Sequence, residues 1–232
     1  MIMCMGYPGG KGKTYQHLVN LMPPHRRYIE THLGSGAVLR NKLPAEENIG
    51  IDIDPQVIST WSYDTIPNCD VICGDALSFL TSTELRSDDL VYMDPPYVSH
   101  TRRRKRVYRY DYSTEDHKRL IHIALSLPCM VLISGYRSEL YDLALENWQR
   151  YDFQAWSHSG MRTESVWFNF ERPTSLHDSR YIGGTFRERQ NIQRRLSRVR
   201  ARLSKLSVYE RVDILHWLEE SIESDSEREQ LI

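Results

Sequence analysis

Asp94, Pro95, Pro96 and Tyr97 follow directly on the apolar run Leu90-Val91-Tyr92-Met93. The run reads as a short buried strand, with acids before it and prolines after it. Prolines cannot continue a ladder, so the chain leaves the sheet at Asp94. A carboxylate, a rigid backbone carbonyl and an aromatic ring then stand at the carboxyl end of a strand, the edge where open α/β sheets bind ligands. Two acceptors side by side suit the two N–H donors of an exocyclic amine, and the ring can stack on a planar base. A plain proline turn is the competing reading of the tetrapeptide. The rest of the chain decides between them.

A second constellation lies upstream. Gly34-Ser35-Gly36 occupies a turn between an expected strand and an expected helix, and Asp52 ends the next strand. Glycines let a backbone approach a ligand, and a strand-end carboxylate can hold ribose hydroxyls. The third glycine of a dinucleotide fingerprint is missing, because position 39 is Leu. The turn therefore suits a nucleoside without a pyrophosphate. The segment Tyr7 to Lys13 is glycine-rich but lacks the G-x4-G-K-[ST] spacing of a triphosphate loop.

These residues need a frame. Strands are expected from Arg27 to Glu30, Ile49 to Ile53, Asp70 to Cys73, Leu90 to Met93, Met130 to Ile133 and Ser165 to Phe170. Helices are expected from His17 to Met22, from Ala37, after Pro55, from Thr114 to Leu127 and from Glu139 to Glu146. Ser113 and Asp116 form a weaker version of a capping box. The alternation predicts an α/β fold with a mostly parallel sheet. A boundary is expected near Pro173, giving a catalytic domain 1–173 and an extension 174–232. In the extension Ile192, Leu196, Val199, Leu203 and Leu206 repeat in steps of four and three, a helical seam among arginines. Val212, Leu215, Leu218 and Ile222 continue on a second helix, so a C-terminal helical hairpin is expected.

A hydrophobic content of 40% and a charged content of 26% in 232 residues are those of a globular protein. No apolar run approaches membrane-spanning length, and the start shows no secretory signal. Four scattered cysteines, with Cys69-x3-Cys73 unmatched by a second pair, argue against a metal site and for reduced thiols in the cytoplasm. The net charge of −1 hides two basic blocks, Arg102-Arg103-Arg104-Lys105-Arg106 and Arg187 to Lys205, offset by an acidic tail from Glu219 to Glu229.

Pro8-Gly9-Gly10-Lys11, Gly34-Ser35-Gly36 and Asp94 to Tyr97, in that order, resemble the Dam-like D12 class of DNA adenine N6-methyltransferases of bacterial or phage type. The likeness covers most of Tyr7 to Phe170. It implies a Rossmann-like class I sheet and S-adenosylmethionine as cofactor. By the same likeness Tyr7 and Lys11 border the cofactor, with Glu30 beside its turn. Gly34, Gly36 and Asp52 contact its methionine and ribose, and Asp75 its adenine. Asp94 and the carbonyl of Pro95 would accept the N–H bonds of a flipped adenine, with Pro96 shaping the turn and Tyr97 stacking on the base. Two departures stand out. Glu30-Thr31-His32 replaces the family's Asp/Glu-Pro-Phe, and only Asp54 to Asn68 lies where the family commonly inserts a large DNA-reading domain.

The basic block after the motif is expected to hold DNA phosphates, against the plainer reading of a solvated loop. Tyr108, Tyr110 and Tyr112 either stack on bases or form an ordinary edge strand. The arginine-rich helix has three readings: packing on the catalytic domain, pairing with a second chain as a homodimer, or presenting arginines such as Arg194 and Arg198 to DNA. Rival activities are RNA adenine or protein glutamine methylation, and cytosine N4 is disfavoured by Asp at position 94. A nucleic-acid-binding protein on a degenerate methyltransferase fold is the non-enzymatic alternative.

Overall fold

The computed structural model describes residues 11, 12, 14–61, 66–102, 109–157 and 160–229. They form two compact units, Met1–Tyr181 and Ile182–Ile232. The first is built on seven strands: β1 (Arg27–Glu30), β2 (Glu47–Asp52), β3 (Cys69–Cys73), β4 (Asp89–Met93), β5 (Met130–Gly135), β6 (Gln149–Ser157) and β7 (Gly160–Phe168). Six helices accompany them: α1 (Tyr15–Val19), α2 (Ala37–Asn41), α3 (Pro55–Ser59), α4 (Ala76–Ser82), α5 (Thr114–Ser126) and α6 (Glu139–Ala144). The strand order is β3-β2-β1-β4-β5-β7-β6. β1 to β5 are mutually parallel, whereas β7 runs antiparallel to β5 and β6.

β4 is central and wholly buried. A strand covered on both faces reads as an unbroken apolar run, which is how Leu90 to Met93 reads. Its side chains alternate. Leu90 and Tyr92 pack with Leu18, Val38, Leu39 and Phe168 on one face. Val91 and Met93 pack with Leu120, Ile121 and Trp167 on the other. α5 starts on a full capping box, in which the Ser113 hydroxyl accepts from the Asp116 N–H and Asp116 accepts from the Ser113 N–H at 2.9 Å.

Besides shifted ends at α1 and β2 and the helix α4, which the sequence expectation lacks, two strands differ from it. β6 was not anticipated, although Tyr151, Phe153 and Ala155 alternate with polar neighbours as a half-buried strand should. The final strand begins at Gly160 rather than Ser165 and stops at Phe168. There the Asn169 side chain takes over, accepting from the Val131 N–H at 2.8 Å and donating to the Cys129 carbonyl at 2.9 Å. The polar stretch after Pro173 stays with the first unit. The Asp178 N–H donates to the Asn20 side chain, and Tyr181 packs edge-on against Tyr15.

The second unit holds α7 (Phe186–Leu203) and α8 (Val208–Glu229). Ser207 and Glu210 cap α8 reciprocally at 2.7 and 3.3 Å. The expected hairpin has both helices and the turn between them, but not the packing. α7 and α8 make few contacts with each other. No residue of α7 is fully buried, and Val199, Val212, Leu215, Trp217 and Ile222 are exposed. Among the described residues no helix is long and apolar enough to cross a membrane.

Candidate active site

The turn from β1 into α2 is held by Asp52 at the end of β2. Its Oδ2 accepts the Gly34 N–H at 2.8 Å, and its Oδ1 accepts the Asp54 N–H at 2.9 Å. Burial pushes this carboxyl up despite both donors. Gly36 sits at φ 61° as the N-cap of α2. A Cβ there would meet the Trp61 ring at 2.1 Å, so the position excludes any side chain. Trp61 in turn donates Nε1–H to the Gly34 carbonyl at 3.3 Å and carries the Arg40 guanidinium over its ring. Glu30 is buried at the end of β1, where its Oε2 accepts from the Tyr28 hydroxyl and the Leu39 N–H. Desolvation raises its pKa to about 8, with the two donors opposing. Asp75 caps α4, its Oδ2 accepting from the Ser78 N–H and hydroxyl at 2.8 and 2.9 Å.

Asp94 leaves β4 at the neighbouring strand end. Both its oxygens accept from the Lys11 ammonium, at 2.6 and 2.7 Å, and Oδ1 also accepts from the Ser134 hydroxyl at 2.7 Å. Ser134, on β5, is backed by the Tyr92 hydroxyl at 2.9 Å. The third N–H of Lys11 goes to the Tyr97 hydroxyl at 2.6 Å, and that hydroxyl donates to Glu164 of β7 at 3.2 Å. Burial works against the Lys11 charge, but Asp94 and Glu164 outweigh it, so its pKa ends above the ordinary lysine value. The Tyr97 ring lies edge-on against Tyr136, 4.6 Å between centroids.

One cavity joins the two halves. Lys11, Glu30, Gly34, Asp52, Asp75 and Asp94 all line it, as does Pro96. Its charged lining is mainly acidic, which suits a ligand carrying a positive sulfonium, and Asp52 and Asp75 keep lone pairs for hydroxyl or amino donors. The far wall comes from the segment after the basic block. Arg109 reaches Asp54 at 3.2 Å and Gln56 at 2.7 Å, while Tyr110 and Tyr112 line the cavity itself. No strand forms at Tyr110 or Tyr112. The Tyr112 hydroxyl meets His32 Nε2 at 2.9 Å. Burial drives the His32 pKa down to about 3, so the imidazole is neutral. His32 is thus a wall residue of the cleft, held by Thr31 and Tyr112.

Arg102 differs from its basic neighbours in role. Its side chain is 6% exposed and pairs with Asp111 at 2.7 Å, so it fastens the loop instead of facing phosphate. Arg103, Arg104, Lys105, Arg106, Tyr108 and Tyr7 lie outside the described residues. Arg194 and Arg198 are exposed on α7. Sequence reasoning missed Ser134, Glu164, Arg109 and Trp61. Ser134 stands at a strand end, a usable signal. Glu164 lies inside a strand and gave none.

The strand order, with its single antiparallel reversal, and a ligand cleft at the carboxyl ends of β1, β2 and β4 define an open, Rossmann-like α/β sheet. The family model of the D12 class N6 adenine-specific DNA methyltransferase matches residues 62–159, a stretch that contains Asp75 and the Asp94–Tyr97 motif. The match supports the resemblance carried by the motifs, and with it methyl transfer from S-adenosylmethionine.

No curated protein matches the sequence significantly. Among solved structures, TrmK of M. capricolum with S-adenosyl-homocysteine is similar at 10% identity and TM-score 0.47, over 91% of this chain and 97% of that one. The 23S rRNA methyltransferase ErmE is similar at 13% identity and TM-score 0.47, over 74% and 72%. The N-methyltransferase NodS of Bradyrhizobium japonicum is similar at 14% identity and TM-score 0.46, over 68% and 94%. These likenesses are loose.

Proposed function

We propose that the protein methylates N6 of adenine in DNA, with the base flipped out of the duplex. The observation that carries this reading is Asp94 at the end of β4, opening on the same cavity as the Gly34–Gly36 turn and Asp52, within the segment matched by the adenine-specific family model. When bound, S-adenosylmethionine supplies an electrophilic methyl group on a sulfonium. Gly34, Gly36, Asp52 and Asp75 would hold it. Asp94 and the Pro95 carbonyl accept the N–H bonds of the target amine, which directs its lone pair outward. Tyr97, expected to stack on the base, is buried against Tyr136 and does not line the cavity, so it backs the motif through its hydroxyl instead. Holding the amine in line, out of bulk water, provides much of the rate gain such a site can give.

DNA is held by Arg103, Arg104, Lys105 and Arg106 and by Arg194 and Arg198. Base edges are read best by a helix or ribbon in the major groove. The short stretch Asp54 to Asn68 has no room for a reading domain, so the target is short or relaxed. The test is to treat unmethylated plasmid with the pure protein and map N6-methyladenine by sequencing. Methylated adenines in contexts of two or three bases are expected. A strict motif of four or more bases would refute relaxed specificity. Methyl transfer to RNA or to glutamine peptides, with DNA untouched, would refute the substrate.

The exposed seam of α7 and α8 pairs with a second copy of the chain. Charge argues for this occupant. Besides the two arginines assigned to DNA, α7 carries Arg189, Arg195 and Arg202, whereas α8 carries Glu210, Asp213, Glu219 and Glu220. Each helix therefore complements the other helix of a partner copy. Sedimentation should show a dimer, and Leu215→Glu should give monomers. A monomeric wild type at micromolar concentration refutes the pairing.

A further inference from the structure

The Lys11 cluster raises a difficulty for the function just proposed. In the structure both oxygens of Asp94 are taken by the Lys11 ammonium, and Oδ1 is shared with Ser134. The target amine must therefore compete with a buried cation for the same carboxylate. If Lys11 simply gave way, it would become an ammonium 4% exposed with only a tyrosine hydroxyl as acceptor. Isolated buried charges are strongly unfavourable.

Glu164 answers the difficulty. It lies on β7, where its Oε2 stands 3.9 Å from the Lys11 ammonium and 3.2 Å from the Tyr97 hydroxyl. The gap to Lys11 is longer than a charge-assisted hydrogen bond, about 2.7–2.9 Å, so a shift of about 1 Å would close it. Lys11, Asp94 and Glu164 together carry a net charge of −1 when all three are ionised. That sign favours a site that must take in a sulfonium and pass its positive charge to nitrogen. With Gln at position 164 the cluster would be neutral.

We propose that Glu164 is a positioning residue for methyl transfer: it takes over Lys11 when the substrate amine takes up Asp94. The proposal rests on the reading of Asp94 as the acceptor of the target amine. Lys11 moves between two carboxylates, Tyr97 bridges it throughout, and no bond is made or broken by Glu164.

Two substitutions separate this role from simple support of the Tyr97 ring. Glu164→Gln keeps the size and a hydrogen-bond acceptor for Tyr97 but removes the charge. Glu164→Asp keeps the charge on a shorter arm. The handover predicts that E164Q lowers kcat for DNA methylation at least about tenfold, while E164D retains more activity than E164Q, with cofactor affinity by calorimetry unchanged in both. It also predicts strong coupling, of the size seen for residues in one charge network, so that E164Q adds little to the defect of Lys11→Met. Thermal melts identify any variant that fails to fold, and the aspartate variant then carries the comparison. An E164Q enzyme as active as wild type, an E164D enzyme less active than E164Q, or defects of K11M and E164Q that multiply would overturn the proposal while leaving DNA adenine methylation standing. A wild type that methylates no DNA would refute the parent reading, and this proposal with it.

Discussion

Asp94 and Asp52 are both strand-end carboxylates, yet their partners give them different tasks. Asp52 spends one lone pair on each of two backbone N–H groups, so it shapes the Gly34–Gly36 turn as well as facing the cavity. Asp94 meets side chains only, in Lys11 and Ser134. Replacing Asp94 with Ala should lower turnover by roughly 10²–10³-fold, the usual loss for one well-placed polar group in an active site, and leave cofactor affinity near normal. It also strands Lys11, so the melting temperature should fall. Breaking a fully buried pair costs about 3–5 kcal/mol, and the 16% exposure of Asp94 places the loss below that. Turnover, calorimetry and thermal melts read the three effects separately. Near-normal turnover would remove Asp94 from the mechanism.

At the scale of elements, the β1–α2 turn and the loop from Ser99 to Tyr112 make the sharpest predictions. Gly36→Ala places a methyl against Trp61 and holds a left-handed φ. Overpacking of this kind costs about 1–3 kcal/mol, and cofactor affinity should fall with stability. An alanine variant with unchanged melting and affinity would show that Trp61 moves aside freely. In the loop, Arg102→Gln should destabilise the protein while leaving the salt dependence of DNA binding intact. Neutralising Arg103 to Arg106 should flatten that dependence by about 0.9 per lost phosphate contact. Equal slopes for all variants would make the whole block a solvated loop. The same elements show what was legible beforehand. β4 and the Asp94 motif were readable because a doubly covered strand is continuously apolar and prolines end it. Gly34-Ser35-Gly36 was readable because a left-handed turn demands glycine. Glu164 was not, since an acid on an alternating strand usually faces water, and only the distant Lys11 and Tyr97 turn it inward. Arg102 misled because a run of basic residues gives no sign that one of them will find Asp111.

The molecule as a whole carries an imprint of its buried titratable groups. His25, His32 and His117 are desolvated and kept neutral, with pKa values lowered to about 4, 3 and 4. Their unfolded value is 6.5, so the native state binds fewer protons than the unfolded chain between these limits. Stability from the three is present above pH 6.5 and lost as pH falls through that window. Glu30 acts oppositely. Its carboxyl titrates at about 8 when folded against 4.5 unfolded, so stability declines as pH rises between those values. The four groups together predict a maximum close to pH 6.5. Melting temperature against pH should show it, and Glu30→Gln should extend the plateau toward pH 8. A wild-type profile flat from pH 6 to 8 would mean that Glu30 is already ionised in the fold. The charge cluster at the site has a temporal meaning as well. Lys11 is 83 residues from Asp94, and Tyr97 is 67 residues from Glu164, which lies on the last strand in the chain. Contacts so distant in sequence close late in folding. While the protein is being made, Asp94 emerges from the ribosome well before Glu164. A chain truncated before β7 lacks the second carboxylate for Lys11, so on the proposed handover methyl transfer would await completion of the final strand.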